Sequence, residues 1–134
     1  MSNSILIVDD EKFLVWALKD NLADEGYEID VATNGDEAME HVRAHRPDLI
    51  FLDLLMPKRD GFYVLEEIKK DPKWRTIPVI VLTNLGGDLE TARALALGAD
   101  DYLVKSKCPI EEVIEKVKKY IGTTKTEKII PATN

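Results

Sequence analysis

Five polar residues lie where short apolar runs end, and together they have the chemistry of metal-assisted phosphoryl transfer. Ile5-Leu6-Ile7-Val8 runs into Asp9-Asp10, Leu49-Ile50-Phe51-Leu52 into Asp53, Val79-Ile80-Val81-Leu82 into Thr83, and Tyr102-Leu103-Val104 into Lys105. Carboxylates brought close together raise one another's pKa or call for a cation. Mg²⁺ prefers oxygen ligands in octahedral geometry and keeps several waters, so two carboxylates and a main-chain carbonyl suffice. Lys105 adds positive charge and Thr83 a hydroxyl donor. In such a set one carboxylate attacks phosphorus as the nucleophile. The metal and the ammonium neutralise the equatorial oxygens, and the hydroxyl adds a hydrogen bond. Asp53 is the expected nucleophile because its strand lies between the acid pair and the Thr83/Lys105 pair.

Each residue alone has a plainer explanation. An Asp at a strand end is commonly a turn former or a helix cap. Thr83 is β-branched and suits a strand, and a lone Lys is usually a solvated charge. Asp9-Asp10-Glu11 reads equally as the acidic first turn of a helix. The weight lies in four strand ends agreeing.

The elements that must position these residues alternate along the chain. Strand-length apolar runs at 5–8, 29–32, 49–52, 79–82 and 102–104 are followed by stretches of helical period. Leu14, Ala17, Leu18 and Leu22 mark the first helix, and Ala38, Met39 and Val42 the second. Phe62, Leu65 and Ile68 mark the third, and Ala92, Leu95 and Ala96 the fourth. Val113, Ile114, Val117 and Ile121 mark the fifth, which Pro109 opens. Strict alternation predicts an α/β, flavodoxin-like (βα)5 fold with a five-stranded parallel sheet, order 2-1-3-4-5, and helices on both faces. The second run ends in Thr33-Asn34-Gly35, without an acid, as suits an outer strand. The polar cluster then gathers at the crevice between the first and third strands, where such folds bind ligands.

The chain has 134 residues, 45% of them hydrophobic, which is enough for one core. A single domain over residues 1–121 and a polar C-terminal tail over 122–134 are expected. The net charge of -7 argues against direct nucleic-acid binding and against an anionic membrane surface. One cysteine, Cys108, cannot form an internal disulfide and fits a reducing, cytoplasmic setting. No apolar run approaches the ~20 residues of a membrane span, and no signal peptide is visible.

The segments Ile5-Leu6-Ile7-Val8-Asp9-Asp10, Pro47-Asp48-Leu49-Ile50-Phe51-Leu52-Asp53-Leu54-Leu55-Met56-Pro57, Asp60-Gly61, Pro78-Val79-Ile80-Val81-Leu82-Thr83 and Gly98-Ala99-Asp100-Asp101-Tyr102-Leu103-Val104-Lys105 occur in order. Over residues 4–121 the chain resembles the response-regulator receiver family of two-component signalling. The resemblance implies that Asp53 is the phosphoacceptor, and that Asp10, Asp53 and the backbone carbonyl of Leu55 bind Mg²⁺ while Asp9 acts through water. Lys105 would pair with the phosphoryl group, Thr83 would bond to it and move, and Tyr102 would turn inward as the switch aromatic. The phosphodonor would be a histidine kinase or a histidine phosphotransfer protein. The readout face would be helix 4, strand 5 and helix 5, through which two copies can also pair. The downstream protein target is not implied, and neither is enzymatic action on a substrate of its own.

Two positions depart from the family. Ser106 follows Lys105 where the family usually has Pro, often in a cis bond. A non-proline cis bond costs about 3 kcal/mol, so a trans bond and an altered loop to Pro109 are expected. Asn84 follows Thr83 where a smaller residue is usual, which points to a changed phosphoryl-group lifetime. Trp16 lies about 200° round the first helix from Leu14, so it should be partly exposed beside the site, near where the family docks its phosphodonor. Three alternatives stay open. They are a pseudo-receiver that takes no phosphate, an excised N-terminal receiver of a longer regulator, and an aspartyl-phosphate hydrolase. The last is disfavoured by Leu55, which stands where an Asp-x-Asp pattern needs its second acid.

Overall fold

The central strands are apolar along nearly their whole length, which requires cover on both faces, and the fold supplies it. The computed structural model describes residues 3–56 and 60–122. Along the chain run β1 (Ser4–Val8), α1 (Lys12–Asp24), β2 (Glu28–Ala32), α2 (Gly35–Ala44) and β3 (Leu49–Leu52). They are followed by α3 (Gly61–Lys70), β4 (Val79–Thr83), α4 (Asp88–Ala96), β5 (Asp101–Val104), a 3-10 turn (Lys105–Lys107) and α5 (Ile110–Ile121). All neighbouring strands pair in parallel, in the order β2-β1-β3-β4-β5. This is the expected flavodoxin-like architecture.

Strand side chains alternate between two apolar layers. Leu6, Val8, Ile50, Leu52, Val79 and Val81 pack with Met39 and Val42 of α2, Leu65 and Ile68 of α3, and Ala94 of α4. Ile5, Ile7, Phe51, Ile80 and Leu103 pack with Leu18 and Leu22 of α1 and Val113 and Val117 of α5. Helix starts are written in the sequence. Asn34 caps α2 by accepting from the Glu37 N–H at 2.9 Å, and Asp60 caps α3 by accepting from the Tyr63 N–H at 3.0 Å.

The expected face of α4 is corrected. Ala92, Leu95 and Ala96 are exposed, and the buried residue is Ala94. Nearly every residue from 92 to 97 is Ala or Leu, so two faces satisfy the helical period equally. Tertiary contacts choose between them: Ala94 meets the core, and Arg93 lies over the Phe62 ring at 3.9 Å. At the Ser106 departure the expected trans bond is found. Among the described residues no peptide bond is cis, and Lys105–Lys107 coil into a 3-10 turn. Pro57 of the second motif and the tail from residue 123 onward lie outside the described residues.

Candidate functional site

Strand register brings the polar residues to one rim. Val8 is level with Leu52, Leu52 with Val81, and Thr83 with Val104. The ladder continues one residue further, since the Asp9 N–H donates to the Ala32 carbonyl and the Asp53 N–H to the Val8 carbonyl, both at 2.9 Å. Asp9 and Asp53 therefore leave adjacent strands side by side.

Asp53 is enclosed by donors. Its Oδ1 accepts from the Thr83 hydroxyl at 2.8 Å and from the Leu55 N–H at 3.1 Å, and its Oδ2 accepts from Lys105 Nζ at 3.0 Å. Lys105 Nζ also lies 2.9 Å from Asp9 Oδ2 and 3.0 Å from Glu11 Oε1. Asp9, Asp53 and Thr83 are buried, and Asp10 faces solvent at the mouth. Burial acts to lower the Lys105 pKa, but hydrogen bonds to Asp9, Asp53 and Glu11 outweigh it and raise the pKa well above the ordinary lysine value. For Asp9, burial pushes the pKa up and Lys105 only partly offsets it, so the carboxyl lies above its usual range.

Asp9, Asp10 and Asp53 each offer a carboxylate oxygen, and these oxygens lie within 4.8 Å of one another. An all-oxygen donor set of that charge fits a hard divalent cation such as Mg²⁺ and not a soft one. The Thr83 hydroxyl reaches Asp53 directly. Tyr102 is half-buried, and its hydroxyl donates to the Leu85 carbonyl in the loop after β4. Asn84 is exposed on the same loop.

The structure thus brings together Asp9, Asp10, Asp53, Thr83 and Lys105, with Leu55 alongside. It adds two residues. Glu11 had been read only as part of an acidic helix start, and its partner Lys105 lies 94 residues away in sequence. Gly61 packs so closely that a Cβ there would lie 2.2 Å from the Asp53 carbonyl oxygen. The Asp60-Gly61 pair was a motif, but nothing in the sequence says which backbone it touches. Outside the mouth, Trp16 is 69% exposed and lines a hollow of about 250 Å³ with Asp9, Asp10 and Lys12. Phe13, 88% exposed, lies on the same helix. No helix among the described residues is long and apolar enough to cross a membrane.

Comparison with known proteins agrees with this geometry. The sequence profile of the response regulator receiver domain matches residues 5–118. The alkaline phosphatase synthesis transcriptional regulatory protein PhoP of Bacillus subtilis (strain 168) is 37% identical over 118 residues, 88% of this chain and 48% of PhoP. The chain spans about half the length of the curated relatives it matches. A crystal structure of the phosphorylated cyanobacterial phytochrome response regulator RcpA is 34% identical with a TM-score of 0.79, covering 89% of this chain and 91% of that one. The Mn²⁺-bound form of response regulator Rcp1 is 30% identical with a TM-score of 0.80, covering 92% of this chain and 97% of that one. With the profile, the sheet order and the polar rim all in agreement, the chain belongs to the response regulator receiver domain family of two-component signal transduction.

Proposed function

We propose that residues 1–121 form a phosphorylation-activated switch that takes a phosphoryl group onto Asp53 from a histidine kinase or histidine phosphotransfer protein. The carrying observation is the Asp53 carboxylate held between the Thr83 hydroxyl and the Lys105 ammonium, beside Asp9 and Asp10. Asp10, Asp53 and the Leu55 carbonyl would hold Mg²⁺, with Asp9 acting through water, and the ion would supply positive charge to the phosphoryl oxygens. The phosphorylated RcpA and the Mn²⁺-bound Rcp1 support both halves of the reading.

The residues have separable tasks. One Asp53 carboxylate oxygen attacks phosphorus and a P–O bond forms. The P–N bond to the donor imidazole breaks, and the electron pair leaves on nitrogen. Lys105 exchanges Asp53 Oδ2 for a phosphoryl oxygen, and the Thr83 hydroxyl donates to another. The acyl phosphate carries roughly -1.5 to -2 charges in place of the single charge of the carboxylate, and with its added acceptor oxygens it biases the Thr83 and Tyr102 side chains and with them the face of α4, β5 and α5. A downstream protein, or a second copy, reads that face. The protein is a switch and not an enzyme with a substrate of its own.

A pseudo-receiver would share the fold but take no phosphate. Incubation with acetyl phosphate and MgCl₂ followed by intact mass separates the two. One added phosphoryl group, absent in Asp53→Asn and without Mg²⁺, is the expected result. An unmodified wild type would leave the pseudo-receiver reading standing.

A further inference from the structure

The Lys105 ammonium has three protons and three carboxylate partners: Asp9 at 2.9 Å, Asp53 at 3.0 Å and Glu11 at 3.0 Å. The partners are not equivalent. Asp9 and Asp53 belong to the oxygen cluster that can hold a cation, and Glu11 does not. The side chains of Asp9 and Asp53 are 3% and 6% exposed, whereas that of Glu11 is 54% exposed. The Glu11 backbone is fixed, with its N–H donating to Asp9 Oδ1 at 2.9 Å and its carbonyl accepting from the Val15 N–H at 3.0 Å.

We propose that Glu11 is a positioning residue that receives the Lys105 amine when a divalent cation enters the acidic cluster, and then competes with the incoming phosphoryl group for that amine. A cation among Asp9, Asp10 and Asp53 draws on two of the carboxylates the ammonium uses and repels it. Among the described residues, Glu11 is the one anion in contact with Lys105 that lies outside the cluster. With Glu11 present the amine has somewhere to go, so cation binding is easier. The same contact must break before Lys105 can reach a phosphoryl oxygen, so phosphorylation is slower. The inference rests on Asp53 being the phosphoacceptor.

The two consequences have opposite signs, which a merely structural role cannot produce. The full chain is compared as wild type, Glu11→Gln and Glu11→Asp. Mg²⁺ affinity is measured by calorimetry with MgCl₂ alone, and the phosphorylation rate with acetyl phosphate at saturating Mg²⁺. In that reaction the acetyl–phosphoryl P–O bond breaks and acetate leaves as Asp53 is modified. The aspartate variant keeps the charge but shortens the reach by one carbon–carbon bond, about 1.5 Å. Both variants should bind Mg²⁺ more weakly and accept phosphate faster, each by roughly two- to fivefold, the range of one half-exposed ion pair. An aspartate variant that behaves as wild type would mean the charge alone matters, and would overturn the inference. So would a glutamine variant unchanged in both readouts, or one that loses in both. A wild type that takes no phosphate would instead fail the functional reading itself, and the inference with it.

Discussion

Lys105 is the one cation within ion-pair distance of Asp9 and Asp53 among the described residues, and its side chain is only 9% exposed. Replacing it with methionine leaves buried carboxylates facing each other without compensation. Lys105→Met should therefore lower metal-free stability by about 3 kcal/mol, and MgCl₂ should restore more stability to the variant than it adds to wild type. Urea unfolding with and without the salt measures both. Asn84, exposed one residue past Thr83, makes a subtler prediction. Asn84→Ala should change the half-life of the phosphorylated protein without changing its fold, and an equal half-life would remove any role for that side chain. At this scale the rim was legible because each polar residue directly ends an apolar run. Glu11 was not, since an acid after Asp9-Asp10 reads as a helix start, and chain order says nothing of a partner 94 residues on.

Helix α3 begins against the strand end that carries Asp53. A Cβ on Gly61 would lie 2.2 Å from the Asp53 carbonyl oxygen and 2.7 Å from the Leu54 Cα, both backbone atoms that cannot step aside alone. Gly61→Ala should cost about 2 kcal/mol, in the range of overpacking, and should also slow phosphorylation because Asp53 moves with its backbone. Thermal unfolding and the acetyl phosphate reaction read the two effects. Helix α1 presents Phe13 and Trp16 beside the same mouth, both largely exposed. Large exposed aromatics are favoured anchors for a partner. Trp16→Ala should slow transfer from the histidine donor while leaving the acetyl phosphate reaction at the wild-type rate. Equal rates from both donors would contradict docking there. Helix existence was readable from apolar period, and strand order from the strict alternation of five strands with helices. The buried face of α4 was not, because its Ala/Leu run fits two faces and packing against Phe62 and the sheet decides between them.

Over the whole molecule, polar ties at the edge opposite the rim hold the helices to the sheet. Lys69 Nζ reaches Asp100 Oδ2 at 3.0 Å and the Ile77 carbonyl at 2.8 Å. Asp101 Oδ2 meets Lys116 Nζ at 2.9 Å and the Tyr120 hydroxyl at 3.2 Å, joining β5 to α5. Burial pushes the Asp101 pKa up, but Lys116, the Tyr102 N–H and Tyr120 outweigh it, so the carboxyl lies below its ordinary 3.8. A depressed folded pKa gives stability that is present above the unfolded value and lost as pH falls through the folded one. Asp101→Asn should thus cost about 1 kcal/mol at neutral pH, and the gap to wild type should close in strong acid. Urea midpoints at the two pH values test this. Neither tie was visible in the sequence, where Asp100-Asp101 reads as part of a family motif and its partners come from two different helices.

The proposed acyl phosphate offers the most direct test of the site. After reaction with acetyl phosphate and MgCl₂, borohydride reduces a phosphoaspartate to homoserine, and peptide mass spectrometry locates the change. Conversion at Asp53 alone, dependent on Mg²⁺ and abolished by Lys105→Met, is the predicted result. Conversion at another carboxylate, or at Asp53 regardless of Mg²⁺ and Lys105, would contradict it.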